Sequence, residues 1–506
     1  MNQEKNQVWQ IISFYITLFF LLALPACQKE VKQDFFNTYI QSDPGKLDPF
    51  YSTDVISGRV LTKICNGLFK INNEGELKRD IVDKFTFDGI ILKAKLNENI
   101  LFHQGSLLTS EDVIFSFKRI WMSANPTSPR KWVFKNIGKI LKKGKHEIQI
   151  ELKKPSATFL YLLSMPNCFI ISKDSFIKEG KIIGTGPFIL SEWKHDEKIV
   201  LIRNPEYFDK KPGIKGIIYS IISEDLTARF EFLNGTLDYF ELPYLSKINL
   251  KLAGIKVIEI PELSVHYIAL NNRKFPFNKR LFRTALNMAI DKKKIMKTIL
   301  TGFKEASGPI PPVVGCYRSS TVPVQYNPKR AKEIIDNFCL NDKEIKIFIK
   351  SDHQVSLVAQ MIQYYLRKTG LNINIREMEW AALKAATMKG AYDMAYFTWY
   401  ADYPEVENFL FPLFYSKNIG AGGNRSFFAN SEVDQLLHLA QRTIDEEKRF
   451  DIYHKIDRLL IKESPWIFLW YGDKTIALSK RIKRFVPNPI YCGMKGNEIF
   501  INNLSR

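Results

Sequence analysis

Apolar residues recur along the chain at two spacings, and each spacing predicts a different kind of element. Over residues 356–366 they stand three and four positions apart, which predicts an amphipathic helix that Gly370 is expected to end. Residues 371–375 alternate between apolar and polar, as a strand does, and the apolar run 345–349 supplies a strand before the helix. Strand, helix and strand in this order predict the crossover unit of a parallel sheet.

In the first half of the chain the apolar runs are shorter and alternate with polar residues. Alternating runs predict antiparallel strands over 85–87, 90–96 and 100–102. Thr109 is expected to cap a helix, with Glu111 and Asp112 facing the positive end of its dipole. The Lys-rich segment 139–145 lies between two apolar runs and is interpreted as a hairpin tip. Long helices are predicted over 278–300 and 431–462, so strands and helices are mixed, as in an α/β or α+β protein.

The N-terminus predicts export. Residues 13–24 are apolar but too few to span a bilayer comfortably, which is typical of a signal peptide. A Leu three positions before Cys27 and an Ala immediately before it form the pattern of a bacterial lipoprotein signal, in which the thiol is alkylated by a diacylglyceryl group. We therefore expect residues 1–26 to be removed and Cys27 to be lipidated. An ordinary signal peptide or a short membrane anchor is the alternative, since residues 1–7 hold one acid and one base.

Composition narrows the choice of partners. Removal of residues 1–26 from the 506 leaves enough chain for two or three domains. Lysine and arginine number 73 against 53 acidic residues, a net charge of +20, which favours nucleic acid, anionic membrane surfaces or acidic ligands. The basic residues are scattered through amphipathic segments, so we interpret them as a solvated surface. In an exported protein no nucleic-acid partner is expected.

Motifs for metal, cofactor or phosphate binding are incomplete. The five cysteines after Cys27 form no C-x-x-C pair, and no disulfide is predicted, although Cys316 and Cys339 are the nearest pair. His146 and Glu147 lack the second histidine of a zinc-protease helix. No metal site, cofactor or catalytic residue is therefore predicted.

One enzyme class stays open as an alternative. Penicillin-binding enzymes combine S-x-x-K with K-T-G, and the chain has Ser175 and Lys178, Ser191 and Lys194, and a K-T-G at 368–370. No Ser-Asp-Asn accompanies them, and 368–370 is also how a helix ends, with a base and then glycine. A Ser/Lys envelope hydrolase is therefore the alternative from another class.

Ordered segments resemble the large solute-binding receptors of peptide ABC transporters, the oligopeptide- and dipeptide-binding family. They are Lys46-Leu47-Asp48-Pro49 with Cys65-Asn66-Gly67-Leu68, residues 101–105 leading into 108–113, residues 184–188 with 203–207, Leu270-Asn271 with Pro276-Phe277 and 283–291, and Trp399-Tyr400-Ala401-Asp402-Tyr403-Pro404. These segments extend over nearly the whole chain that follows the signal.

The resemblance implies an α/β, bilobed periplasmic-binding-protein-like fold of the large three-domain type with mixed sheets. The expected parts are a tether at 27–40, a discontinuous domain I (41–75, 180–275 and 481–506), an inserted domain II (76–179) and domain III (276–480). The lobes are expected to close by a hinge motion around a ligand.

The resemblance also implies a function without catalysis. A monomeric receptor, lipid-anchored to the outer face of the cytoplasmic membrane in the periplasm, captures short peptides and delivers them to a permease with its ATPase subunits. Murein peptide, a nickel chelate, glutathione or a sugar are alternatives on the same fold.

Asp402 is the central candidate for binding. In the family the matching Asp holds the α-ammonium of the peptide, and an ionised carboxylate can accept its charge-assisted hydrogen bonds. Trp399 and Tyr403 flank it, and Thr53 and Asn424 fall where relatives present ligand-lining residues. Without the resemblance, Asp402 is read as a turn former before a proline.

Three arginines, Arg130, Arg376 and Arg425, are candidates for holding a ligand carboxylate through a bidentate fork. For each of them, an ordinary surface arginine is the preferred interpretation.

Overall fold

A computed structural model describes residues 34–52, 54–122, 131–242, 255–300, 302–340, 343–420, 423–490, 495–496 and 498–501. The signal peptide, Cys27, Thr53 and Arg130 lie outside these residues. Within the described part, no helix has the length and apolar character that crossing a membrane requires.

The elements follow one another in mixed order. The strands are β1 (Phe35–Ile40), β2 (Phe69–Ile71), β3 (Leu77–Arg79), β4 (Val82–Phe87), β5 (Ile91–Leu96), β6 (Ile137–Lys142), β7 (Glu147–Leu152), β8 (Phe188–Lys194), β9 (Lys198–Arg203), β10 (Gly216–Ile221), β11 (Tyr239–Glu241), β12 (Lys256–Pro261), β13 (Ser264–Leu270), β14 (Lys304–Glu305), β15 (Val313–Val314), β16 (Tyr317–Arg318), β17 (Glu344–Lys350), β18 (Asn372–Met378), β19 (Met394–Tyr400), β20 (Trp466–Tyr471), β21 (Asp473–Leu478), β22 (Ile482–Arg484) and β23 (Phe500–Ile501). The helices are α1 (Val55–Ile64), α2 (Ser110–Trp121), α3 (Lys131–Phe134), α4 (Phe159–Leu162), α5 (Lys173–Glu179), α6 (Asp225–Leu233), α7 (Arg280–Ala289), α8 (Lys292–Ile299), α9 (Pro328–Asp336), α10 (His353–Arg367), α11 (Trp380–Met388), α12 (Glu407–Phe414), α13 (Ser431–Arg442) and α14 (Glu446–Glu463).

Domain I is built from two sheets around one core. Its larger sheet has the order β1-β10-β9-β8, with β1 parallel to β10 and the other pairs antiparallel. Its smaller sheet is β11-β21-β12. Buried apolar residues of both sheets and of α1 form one cluster between them. The strands around this core come from three separate stretches of the chain.

Domain II is an inserted antiparallel unit. Its sheet, β4-β5-β7-β6, packs against α2, which Thr109 caps together with Asp112 as the sequence predicts. β6 and β7 form the hairpin predicted around 139–145. The predicted strand over 100–102 does not form, because Leu101 makes only an isolated bridge to Leu107.

Domain III contains a six-stranded mixed sheet of order β14-β20-β13-β19-β17-β18. β17, α10 and β18 form the predicted crossover, with β17 and β18 parallel in register. Side chains of β13 alternate between two buried clusters, so that Val265 and Tyr267 pack on one face of the sheet and Ile268 on the other. The sheet is therefore covered on both sides, and the expected α/β class with mixed sheets is confirmed.

Several predicted boundaries need correction. Residues 35–40, assigned to the tether, form β1, because Phe36, Tyr39 and Ile40 pack in the core and the segment pairs with β10. β13 lies in the sheet of domain III although 180–275 was assigned to domain I, and β21 lies in domain I although 276–480 was assigned to domain III. The strands that β13 and β21 pair with lie on the other side of the predicted boundaries.

The two long predicted helices are each broken in two. The 278–300 segment divides at Ile290, and Asp291 then caps α8 by accepting a hydrogen bond from the backbone N–H of Lys294. The 431–462 segment divides at Thr443, and Asp445 caps α14 in the same way through Lys448. In both cases an aspartate favours a new N-terminus over a continuous helix.

The return of the chain from domain II to domain I depends on two glycines. A Cβ on Gly184 would lie 1.9 Å from the carbonyl oxygen of Ile64, and one on Gly186 would lie 2.3 Å from that of Lys63. Between them, Thr185 donates a hydrogen bond to Asn66. The Gly-Thr-Gly segment therefore packs backbone against backbone at the end of α1, which only glycine permits.

Candidate functional site

Asp402 lies in the loop that joins β19 to α12, and a buried amide holds this loop. The side-chain oxygen of Asn408, in the first turn of α12, accepts a hydrogen bond from the backbone N–H of Asp402 at 3.1 Å and another from the indole of Trp399 at 3.2 Å. Asn408 is fully buried. One side chain therefore fixes the carboxylate-bearing loop and the neighbouring aromatic ring together, and sequence reasoning missed it.

Asp402 lines a cavity of about 30 Å³ where the three domains meet. The other lining residues are Thr62, Lys70 and Ile71 of domain I, Ser164, Pro166 and Phe169 of domain II, and Ile490 and Lys495 of the C-terminal segment. A space of this size is enough for a water molecule or a small ammonium group. A side chain of domain III thus faces the other two domains across a small cavity.

Two lysines line this cavity beside Asp402, and each is paired with an aspartate. Lys495 pairs with Asp80 at 2.7 Å, and Lys70 pairs with Asp80 at 3.6 Å and with Asp209 at 2.6 Å. Burial lowers the pKa of Lys495, whereas for Lys70 the effect of burial is outweighed by Asp80 and Asp209, which raise its pKa. The two ammonium groups are therefore matched by carboxylates of domains I and II, and Asp402 is the carboxylate that lines the cavity itself.

The other predicted site residues occupy different surroundings. Tyr403 is buried, and its ring packs 6.3 Å from that of Tyr161 within the core of domain II, where burial and the charge of Glu407 raise its pKa. Asn424 is fully buried and donates hydrogen bonds to the carbonyls of Phe428 and Tyr415. Neither lines the Asp402 cavity. The structure therefore brings Trp399 and Asp402 together and places Tyr403 and Asn424 away from this cavity.

A larger cavity of about 80 Å³ lies within domain I and shares Ile490 with the first. Glu241 at its side accepts hydrogen bonds from Arg59 at 2.7 Å and Lys474 at 2.5 Å. Burial opposes ionisation of Glu241, but these two cations lower its pKa to about 2. Arg59 and Lys474 are therefore matched to a carboxylate of the same domain.

The loop after Asp402 also joins domain III to domain II. The hydroxyl of Thr158 in domain II donates a hydrogen bond to Glu407, which also accepts one from Gln441 at 2.5 Å. Glu405 accepts hydrogen bonds from Arg449 and Tyr453, and burial, with the nearby charge of Glu407, raises its pKa to about 7. A buried pair of carboxylates thus lies at the contact between domains.

The residues of the alternative hydrolase do not form one site. Ser175 is buried in α5 of domain II and bonded to Ser172, while Lys178 is exposed. Lys368 and Gly370 end α10 in domain III, as a helix terminus requires. The described cysteines are free, and the described residues contain no cluster of three or more metal-ligating side chains.

Comparison with known proteins gives consistent matches. The model of the family "Bacterial extracellular solute-binding proteins, family 5 Middle" matches residues 84–421. The chain is 28% identical over 505 residues to the probable D,D-dipeptide-binding periplasmic protein DdpA of Escherichia coli K12, covering 95% of this chain and 97% of that protein. It is also 28% identical over 459 residues to the glutathione-binding protein GsiB of Escherichia coli K12, covering 87% and 89%. Among solved structures it is similar to the periplasmic binding protein DppA of Helicobacter pylori in complex with the peptide STSA, with a TM-score of 0.83, 25% identity and coverage of 93% and 99%.

Proposed function

The chain belongs to the bacterial extracellular solute-binding proteins of family 5, and from this premise we propose that it captures short peptides between two lobes and delivers them to the permease of an ABC transporter. Domain II packs on domain I, to which it is joined by the bridge between Asn66 and Ile170, and the two form one lobe. Domain III forms the other.

The observation that carries the proposal is the position of Asp402. Asp402 lines a small cavity between the lobes, whose two lysines are already paired with Asp80 and Asp209. A peptide ammonium offers three donors to such a carboxylate, and the enclosure by Phe169 and Ile71 strengthens the pair by excluding water. Trp399, fixed through Asn408, supplies an aromatic surface beside it. The similarity to a peptide-bound structure and to a protein named as dipeptide-binding supports the same ligand class.

Binding of this kind needs no bond to be made or broken. The proposed cycle is capture in an open form, closure of domain III onto domains I and II, and recognition of the closed form by the permease, whose ATPase subunits drive transport. Lipidation of Cys27 is part of the proposal, since an anchored receptor stays close to its permease. We propose a monomeric receptor and not an enzyme.

Titration calorimetry with the mature chain, freed of co-purified ligand by unfolding and refolding, tests the assignment. We expect a short peptide to bind and its N-acetylated form to bind weakly. Asp402→Asn keeps the shape of the side chain and removes its charge, so affinity should fall about thirty-fold, which corresponds to about 2 kcal/mol for a hydrogen bond to a charged group. Glu98→Gln, which removes an exposed carboxylate paired with Lys95, is the matched control.

The outcome also separates the alternatives. Equal affinity of Asp402→Asn and the parent protein would remove Asp402 from the site. Glutathione has a free α-ammonium but a γ-linked first residue, so preference for glutathione over an α-linked tripeptide would assign the chain to that ligand. A covalent adduct with a fluorescent β-lactam would support the hydrolase instead.

A further inference from the structure

Three segments of domain I meet where the chain enters its first strand. The backbone N–H of Lys215, in the loop between β9 and β10, donates a hydrogen bond to the carbonyl of Asp34 at 2.9 Å. Arg481, directly before β22, donates one to the carbonyl of Phe35 at 2.9 Å. β22 in turn pairs with β23, whose Phe500 packs against the loop between β9 and β10. The start of β1 is therefore surrounded by residues from distant parts of the sequence.

The exposed cationic side chains on these segments form a surface that we call the entry face, which consists of Lys210, Lys211, Lys215, Lys480, Lys483 and Arg484. The ammonium of Lys210 lies 5.6 Å from the ring centre of Phe500, and Phe500 is opposite Arg484 in the pairing of β22 with β23. The cations of the loop and those around β22 therefore lie side by side. The fold gathers here basic residues that are scattered in the sequence.

Acidic groups only partly balance the entry face. Among the described residues, no carboxylate lies within 4.0 Å of Lys211, Lys480, Lys483 or Arg484. The aspartates at this end of the domain are already paired, Asp34 with Lys215 at 2.6 Å, Asp238 with Arg481 at 3.2 Å and Asp209 with Lys70 at 2.6 Å. Glu206 in the loop and Glu498 before β23 are the glutamates of the same segments. Exposed cations therefore outnumber acids on this surface.

The entry face is also where the proposed lipid anchor joins the folded domain. Residues 28–34 lie between Cys27 and β1, and Asp34 is held on the face by its ion pair with Lys215. A lipid on Cys27 would therefore bring this basic surface close to the headgroups of the bilayer. None of the six cations lines either of the two described cavities, so contact at the entry face does not involve the residues proposed to bind ligand.

We propose that the entry face docks on the anionic headgroups at the outer surface of the cytoplasmic membrane, so that the lipid anchor and these cations together hold domain I in one orientation. Each lysine or arginine close to an anionic membrane strengthens the attraction about five-fold. Salt screens charges separated by more than about 8 Å at physiological ionic strength, so the face orients an anchored protein and does not retain an unanchored one. The proposal does not depend on which ligand the protein takes.

Vesicle co-sedimentation at low salt tests the docking with the mature chain carrying Cys27→Ser, which cannot receive the lipid. This parent protein should bind vesicles of equal parts phosphatidylglycerol and phosphatidylcholine and should not bind vesicles of phosphatidylcholine alone. Added salt should release it, because the attraction is between charges. Lys480→Glu, Lys483→Glu and Arg484→Glu combined should weaken binding to the anionic vesicles by about ten-fold or more, since three attractive charges become repulsive.

The matched control makes the same change of charge on domain II. Lys139→Glu, Lys143→Glu and Lys145→Glu combined replace exposed lysines of the β6–β7 segment that have no ion pair among the described residues, and this control should bind vesicles as the parent does. Thermal unfolding reports whether each variant folds. If the glutamate variant of the entry face does not, Lys480→Gln, Lys483→Gln and Arg484→Gln combined carry the test and should also weaken binding.

Three results would overturn the docking surface. They are failure of the parent protein to bind anionic vesicles at low salt, unchanged binding by the entry-face variant, and an equal loss of binding in that variant and in the domain II control. Peptide affinity, measured by calorimetry on the same variants, should equal that of the parent protein. A failure of membrane docking is therefore distinguishable from a failure of peptide capture.

Discussion

The hydrogen bond from Thr158 to Glu407 crosses from one lobe to the other, so it should contribute to the closed form alone. Thr158→Val removes the hydroxyl and keeps the volume and branching of the side chain, which isolates the hydrogen bond from packing. In an open form, water can hydrate Glu407 in the variant as in the parent protein. In the closed form Glu407 is buried, and the variant lacks the hydrogen bond that Thr158 donates to it. The substitution should therefore raise the free energy of closure and leave the open form unchanged.

The magnitude follows from the protonation of Glu407. Burial raises its pKa, and hydrogen bonding from Thr158 and Gln441 opposes this rise. The lost hydrogen bond is worth about 1 kcal/mol if the acceptor is neutral and about 2 kcal/mol if it is ionised. Closure then becomes about five- to thirty-fold less favourable. Because ligand binding requires closure, the apparent Kd should rise by the same factor when the free protein is mostly open.

Calorimetry with a short peptide measures this change, and the radius of gyration from X-ray scattering reports the degree of closure with and without ligand. Thr298→Val is the matched control, since its hydroxyl bonds only to the carbonyl of Lys294 on an exposed helix. If Thr158→Val binds peptide within two-fold of the parent protein and closes to the same radius, the contact between domains II and III does not stabilise the closed form and the reasoning is refuted.

Other predictions concern stability, positioning and attachment. Burial raises the pKa of Glu405 to about 7, so the folded protein keeps a proton that the unfolded chain releases above about pH 4.5. Glu405 therefore stabilises the folded state at low pH, and this contribution is lost as the pH rises through 7. The stability of the parent protein relative to Glu405→Gln, measured by denaturant unfolding, should therefore increase from pH 8 to pH 5.5, and a constant difference would contradict it. Asn408→Ala should weaken peptide binding about ten-fold and alter Trp399 fluorescence, because it removes the acceptor shared by Asp402 and the indole; unchanged affinity would show that the loop is held by other contacts. Cys27→Ser should move the protein from the membrane fraction to the soluble fraction and abolish labelling by radioactive palmitate, and retention of the label would exclude Cys27 as the lipidated residue.

Local patterns in the sequence predicted local structure well. The crossover of β17, α10 and β18 and the cap of α2 depend on residues a few positions apart, and both are found as predicted. The two long helices were predicted without their breaks, because helical periodicity continues through Asp291 and Asp445 although each aspartate starts a new helix. Domain boundaries were less accurate, since strand partners such as β13 and β20 are far apart in the chain.

Only part of the candidate site could be predicted from the sequence. The Trp-Tyr-Ala-Asp-Tyr-Pro segment located Asp402, which lines an interdomain cavity. A motif gives position and not exposure, so the sequence did not show that Tyr403 and Asn424 are buried away from this cavity. Asn408 follows Asp402 by six positions, and its amide side chain directly before the apolar run 409–414 was the available signal. The contact of Thr158 with Glu407 joins residues 249 positions apart and had none.

If Cys27 carries the proposed lipid, the early start of β1 limits how far the receptor can move from the membrane. Phe35 is already paired in the sheet of domain I, so the lipid would be joined to the folded body by residues 28–34 alone. Fully extended, seven residues reach about 25 Å. A body on so short a linker would diffuse in two dimensions beside the bilayer and present a restricted range of orientations to its neighbours. Encounter with a permease would then be a search over membrane area, and a flexible insert before Asp34 would trade that confinement for reach.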